Sequence, residues 1–289
     1  MLTRKGPKDT GKPIVVQFNS VMNAIFLVLF YPFPGLSPWW ALLWICLVTA
    51  VLALLVYRFF SSRESIQKVK DQLKANILEM RLFQHDPVLI GRAIRSILRN
   101  NFRYLQLNIK PFLFMFIPVV LILIQVETRF GFQPLRQGES VLIKTFWKAE
   151  SFNNALPNPI IFVSKGIRLT SPALRIRETH EIDWKIEAVK YGTAFLSLQT
   201  QGEEVTIPVL VSDRLIPVSP WNGKKNSLKM LLYPASHPLP SHGNLISVDI
   251  AYPNRSLPLW GYSVYWIWPF LGLTLIAGYL MKGIFRVQF

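Results

Sequence analysis

Cysteine is nearly absent from this chain: Cys46 stands alone among 289 residues. No intrachain disulfide can form, and no zinc or iron–sulfur site that draws on several cysteines can be built. Acidic residues are also scarce, Asp+Glu 16 against Lys+Arg 32, so the formal net charge is +16. Charged residues make up only 17% of the chain, where a soluble domain carries about 25%. The 51% of hydrophobic residues come in blocks. This excludes a disordered tail protein and argues against an ordinary soluble enzyme. The composition reads as an α+β membrane protein.

Three stretches are apolar enough to span. Trp39–Tyr57 carries no charge in 19 residues and at 1.5 Å per residue covers about 28 Å of the ~30 Å hydrocarbon core. Pro111–Val126 is shorter and extends back through Leu105, with Lys110 snorkelling and Pro118 placed to kink it. Leu259–Met281 is the third, rich in Trp and Tyr in its first half. A fourth apolar stretch, Val21–Phe33, stops at Tyr31–Gly35 (YPFPG) and reads as an interfacial helix. Arg4, Lys5, Lys8 and Lys12 before it mimic a signal peptide, but Pro32 and Pro34 stand where a cleavage site is needed.

These boundaries divide the chain into an N-terminal tail and interfacial helix (1–37), a first span (38–57), a helical hairpin (58–104) and a second span (105–127). An external β domain (130–258), a third span (259–281) and a tail (282–289) follow. Residues 58–110 hold 11 Lys/Arg and four Asp/Glu, whereas residues 130–258 hold 14 and ten. The positive-inside rule places 58–110 in the cytoplasm and 130–258 outside, as in a bacterial inner membrane.

Ser61–Phe83 predicts a helix, with a capping box from Ser61 to Glu64 and an apolar stripe through Ile66, Val69, Leu73, Ile77 and Met80. Asp86-Pro87 breaks it, and a second helix runs from Pro87 to about Leu105. Arg92, Arg95, Arg99 and Arg103 form a row on that helix. The row admits three readings: solvated charge, contact with anionic membrane lipid, or docking of an acidic partner such as ribosomal RNA or a nascent chain. The aromatic interleaving of a single-strand binder is missing, so no specific nucleic acid is expected.

Residues 139–250 read as β. In Glu181–Val211, Ile182, Trp184, Ile186 and Ala188 alternate with Asp183, Lys185 and Glu187, and Ala194, Leu196 and Leu198 alternate with Phe195, Ser197 and Gln199. Turns at Tyr191-Gly192 and Gln201-Gly202 suggest an antiparallel sandwich, Ig-like in outline. Leu231–Gly243, with three prolines, reads as extended, and Leu245–Ala251 as a last strand.

No residue pattern supplies covalent chemistry. The chain has no HExxH, P-loop, GxGxxG or GxSxG. His180 lies near Glu181 and Asp183, and His237 and His242 flank prolines, without metal-ligand spacing. Glu203-Glu204 falls at a turn, Cys46 reads as packing, and Asn254-Arg255-Ser256 is a glycosylation sequon by pattern only. Neither an enzyme, nor a cofactor, nor a metal centre is expected.

The order of parts carries a resemblance. An interfacial helix, an outward-starting span, a basic cytoplasmic hairpin and a returning span resemble the YidC-type insertase superfamily. The likeness is to its short archaeal members and the third subunit of the endoplasmic-reticulum membrane complex. Ser37–Lys74 carries most of it. The chain is also similar to uncharacterised bacterial integral membrane proteins sharing RLFxxDP (Arg81–Pro87), LLYPxxxPLP (Leu231–Pro240) and a KGxF tail (Lys282–Phe285). The insertase likeness implies a non-covalent, chaperone-like role in membrane-protein insertion or assembly, with nascent membrane proteins or the ribosome as partners. It implies a polar groove, for which Arg58, Asn108, Lys110 and Gln125 are the available residues. In the large bacterial insertases the β domain precedes the core; here it lies between the second and third spans. The rival expectation is a scaffolding subunit whose β domain binds an envelope protein.

Overall fold

In a computed structural model the described residues are 14–32, 37–60, 63–82, 87–150, 159–200, 203–224, 228–241, 243–259 and 261–285. Several expected features lie outside them: the basic N-terminal residues, Phe33–Gly35, Ser61, Asp86, the Gln201-Gly202 turn, His242, Trp260 and Arg286. The chain forms two compact units. One joins residues 1–41 to 123–266, and the other joins 42–122 to 267–289.

The second unit is helical. Its helices are α2 (Pro38–Phe60) and α4 (Pro87–Phe130), which both continue into the first unit, with α3 (Arg63–Leu82) and α5 (Ile267–Met281). Helix α2 and the stretch Ile90–Phe130 of α4 are each long and apolar enough to cross a membrane. In lipid every backbone group must bond within its own segment, and an uninterrupted apolar run does that as a helix. Two boundaries differ from the expectation. The second helix of the hairpin and the second span are one continuous 44-residue helix that passes through Pro111 and Pro118, about 66 Å long. Pro111 removes one backbone donor, but the apolar residues on both sides of it keep the helix as the only satisfied conformation. Helix α5 has 15 residues and begins at Ile267, not Leu259. The residues before it pair instead as a two-stranded ladder, with Leu257 opposite Val264 and Leu259 opposite Tyr262.

Helix α3 runs antiparallel to the first half of α4. Asn76 Nδ2 donates to Ser96 Oγ at 2.9 Å, and Lys70 Nζ lies over the Tyr104 ring. Val69 and Ala93 are buried in this pair. The stripe predicted for α3 is only partly used, because Ile77 and Met80 remain exposed near its end. Helices α2 and α4 are joined by a hydrogen bond from Tyr57 to Asn108 and by stacked rings of Phe60 and Phe114 at 4.1 Å.

The first unit holds α1 (Ile14–Phe30) and the β-strands. They are β1 (Ser140–Trp147), β2 (Ile160–Val163), β3 (Ile167–Leu169), β4 (Leu174–Ile176), β5 (Glu181–Ala188) and β6 (Gly192–Thr200). After them come β7 (Glu203–Val211), β8 (Trp221–Gly223), β9 (Leu245–Ile250), β10 (Leu257–Leu259) and β11 (Tyr262–Val264). One antiparallel sheet has the order β3-β5-β1-β9-β8, with β4 also on β5, and a second has the order β2-β6-β7. Ile143, Ile182, Trp184 and Ile186 of the first and Leu196, Leu198 and Ile207 of the second belong to one core. The period-two alternation read from β6 holds: Ala194, Leu196 and Leu198 are buried while Phe195 and Gln199 are exposed. The segment expected to be extended, Leu231–Gly243, follows a single 3-10 turn, Leu228–Leu231, and its other described residues belong to no helix or named strand.

Strand β5 departs from the alternation. Asp183, expected on the solvent side, is buried, as is Glu181. The cause is a cross-strand partner: Lys144 of β1 stands directly opposite Asp183, with its Nζ 3.8 Å from Asp183 Oδ2 and 3.9 Å from Glu181 Oε2. Asp249 on β9 lies opposite Lys144 on the other side. Burial pushes the Asp249 carboxyl above the usual range, against a lowering by Lys229. A carboxyl raised in the folded state binds protons that the unfolded chain has already lost. Its stability contribution is therefore complete below the unfolded value of about 3.9 and falls as pH rises through the folded value. Asp249→Asn is expected to raise the thermal midpoint at pH 7, with the gain closing as pH approaches 4. Differential scanning at both pH values checks this.

Candidate functional site

Two arrangements stand out, one in each unit. In the helical unit, α4 exposes a ridge of Ile94, Leu98, Phe102, Leu105, Ile109, Phe112 and Phe116, each between 46% and 64% exposed. The spacing is made of steps of four and three. At 3.6 residues per turn the seven fall within an arc of about 80°. Arg92, Arg95, Arg99 and Arg103 are exposed and occupy the adjoining arc of about 80°. None of the four has an ion-pair partner among the described residues. The ridge therefore presents positive charge without an ion-pair partner among the described residues, beside exposed apolar surface. That pairing suits a surface or segment that is itself apolar with an anionic border.

The groove residues named from sequence are dispersed. Arg58 and Lys110 are exposed. Asn108 accepts from the Tyr57 hydroxyl at 2.8 Å and donates to the Tyr104 carbonyl. Gln125 lies about 25 Å further along α4, where it is buried and donates to Asn23 Oδ1 at 3.1 Å.

Around Gln125 the other unit assembles a polar cluster. Helix α1 shows two faces. Ile14, Phe18, Val21, Ile25 and Val28 are exposed, whereas Asn19, Phe26 and Phe30 are buried. Asn19 Nδ2 donates to the Met230 carbonyl at 2.7 Å and Asn23 Nδ2 to the Pro234 carbonyl at 2.8 Å. These bonds tie α1 to the β-bearing part of its unit, a role the expected interfacial helix did not include.

The last turn of α4 adds two residues that sequence reasoning passed over. Glu127 accepts from the Tyr265 hydroxyl at 2.9 and 3.1 Å and from Trp266 Nε1 at 2.7 Å. Arg129 is 3% exposed. Its Nη1 donates over long distances to the Gln125 carbonyl (3.3 Å), Gln125 Oε1 (3.5 Å) and Thr128 Oγ1 (3.4 Å). Its guanidinium lies 5.0 Å from the Phe30 ring centroid and 6.0 Å from that of Phe26. No carboxylate forms an ion pair with it among the described residues. A cation at a helix C-terminus gains about 0.3–1 kcal/mol, at most about 2, and an aromatic face about 0.5–2. Burying a charge costs several kcal/mol. The protein groups around Arg129 offset this cost only in part.

Arg129 lines a cavity of about 310 Å³. Asn23, Ser219, Asn222, His237 and Tyr252 supply the rest of its polar wall, and no Asp or Glu is among the described residues lining it. Asn222 Oδ1 accepts from the His237 amide and Asn23 Oδ1 from Gln125. The Tyr252 oxygen accepts from the Leu210 amide at 3.2 Å, and burial pushes its pKa up to about 12. The hydroxyl therefore keeps its proton at physiological pH. Among the described residues, no group of three His, Cys, Asp or Glu side chains is placed to hold a metal ion.

A signal for Arg129 exists in the sequence, since it is the first arginine after an uncharged run, but such a residue reads as an interfacial flank. Comparison of the chain with protein-family models, with curated proteins and with solved structures found no match.

Proposed function

We propose that this chain is an integral membrane protein that assists the insertion or assembly of other membrane proteins, by a non-covalent, insertase-like mechanism. The observation that carries the reading is the α4 ridge, an exposed apolar stripe bordered by four exposed arginines. A hydrophobic segment on its way into the bilayer needs apolar cover for its core and a place for its polar flanks. The stripe supplies the first, and the arginine border suits acidic flanks or anionic headgroups. In this reading residues 58–110 are cytoplasmic, α5 completes a three-span anchor, and residues 130–258 form an external domain of Ig-like outline.

A photo-crosslinker at Leu98 in native membranes tests it. Capture of many different newly made membrane proteins is the expected result. At about 1 kcal/mol per basic residue near an anionic surface, changing Arg92, Arg95, Arg99 and Arg103 together to Gln should lower capture at least about tenfold. No nascent chain captured at Leu98 would sink the reading.

One observation favours a scaffolding role instead. Ile160, Phe162 and Phe195 are exposed on the three-stranded sheet, in which β2 is an edge strand. An edge strand with exposed apolar side chains can pair with another protein. A single fixed protein captured from Phe162, with nothing at Leu98, would identify that role.

A further inference from the structure

We propose that the cavity behind Arg129 binds one phosphate group, carried by an anionic phospholipid or present as free phosphate. The site belongs to the unit that bears the β-strands and does not depend on the insertase reading.

Four side chains of the wall carry the argument. The side-chain acceptors of Asn23 and Asn222 are each taken by a protein donor, and the neutral His237 ring brings one donor and one acceptor. Arg129 and Tyr252 keep donors to spare. Arg129 uses only Nη1, and its Nε and Nη2 bond to no described residue. The Tyr252 oxygen accepts from Leu210, while its hydroxyl keeps its proton, which is uncommitted among the described residues. A buried cation, a free hydroxyl donor and a wall without carboxylates call for an anion with several acceptor oxygens. Phosphate offers such oxygens to the planar fork of an arginine.

The volume, about 310 Å³, exceeds what a bare phosphate fills and leaves room for an attached glycerol. Helix α1 points to a lipid as the source. It contributes Asn23 to the wall and Phe26 and Phe30 above the guanidinium, and its opposite face exposes Ile14, Phe18, Val21, Ile25 and Val28. That face lies across α1 from the cavity, so one side of the helix can rest against acyl chains while the other lines a headgroup pocket.

The test uses the full chain purified in neutral detergent. Phosphatidylglycerol, inorganic phosphate and acetate are titrated separately, with bound lipid counted by native mass spectrometry and thermal midpoints followed in parallel. One phosphatidylglycerol retained per chain, with affinity at least about tenfold weaker in Arg129→Gln, is the expected result. Ala235→Phe, which fills the cavity from its lining and leaves the charge in place, should weaken binding similarly and carries the test if Arg129→Gln does not fold. Binding of phosphatidylglycerol but not inorganic phosphate identifies a lipid headgroup. Binding of inorganic phosphate alone identifies a soluble source, and either supports the phosphate site. Acetate binding as tightly as phosphate, no binding of either phosphate probe, or lipid retention unchanged in both variants would overturn the proposal.

Discussion

Trp184→Ala is expected to unfold the β-bearing unit or to leave it barely stable. Trp184 is 2% exposed, at the centre of β5, opposite Ile143 of β1 and among Ile182, Ile186 and Leu196 in one core. Truncating a buried tryptophan costs about 3–5 kcal/mol, because the lost transfer energy adds to the energy of the cavity left behind. Total stability of a domain is about 5–15 kcal/mol, so one substitution removes a large share. Strand β5 is also bonded to β1, β3 and β4, and its loosening would free three neighbours. Limited proteolysis of the full chain should show cleavage within residues 139–250 at temperatures where the wild-type chain resists. Val189→Ala, at an exposed position just after the same strand, should leave the pattern unchanged. Equal resistance of Trp184→Ala and wild type would contradict the assigned core.

Glu127→Ala is the second large effect. The Glu127 carboxylate is the acceptor for both Tyr265 and Trp266, and Trp266 is 2% exposed. A hydrogen bond to a charged group contributes about 1.5–3 kcal/mol, and a buried donor left without its acceptor costs about 1–3 kcal/mol. The truncation should therefore cost about 2–4 kcal/mol. It should also change the fluorescence of Trp266, whose indole N–H loses its partner. Glu127→Gln keeps one acceptor oxygen and should recover part of the loss. Gly131 is bound to the same arrangement, because a Cβ there would collide with the Glu127 carboxylate. Thermal unfolding of the three chains in the same detergent compares them, and a midpoint for Glu127→Ala equal to wild type would rule out the bonding.

Local pattern was enough for several elements. The 19 uncharged residues of Trp39–Tyr57 could satisfy their backbone in an apolar setting only as a helix, and α2 covers them. Residues alternating with period two in Gly192–Thr200 point to opposite faces of a strand, whatever lies around it. The arginine row of residues 92–103 was legible as a helix face for the same reason: 3.6 residues per turn sets it without reference to any partner. The exposure of the apolar ridge beside it was not legible, because exposure depends on what packs against a helix.

The remaining features belong to the tertiary structure. Asp183 reads as a solvent-facing residue by alternation, and only its register opposite Lys144, 39 positions away in sequence, explains its burial. Tyr262–Val264 lies in a stretch with the composition of a membrane helix, yet it pairs with Leu257–Leu259 as a ladder, because a short apolar run satisfies its backbone equally well in either form. The expected break between hairpin and span, at 104/105, is absent, and α4 runs through it. Arg129 and Glu127 look like the polar flank of a span; the α1 rings place one beneath aromatic cover, and Tyr265 and Trp266 bind the other. Sequence alone determined the elements whose physics is local: apolar length, period, and the helical face of a charge row. Contacts between residues far apart in the chain decided which charges are buried, because burial and pairing depend on neighbours that no local window contains.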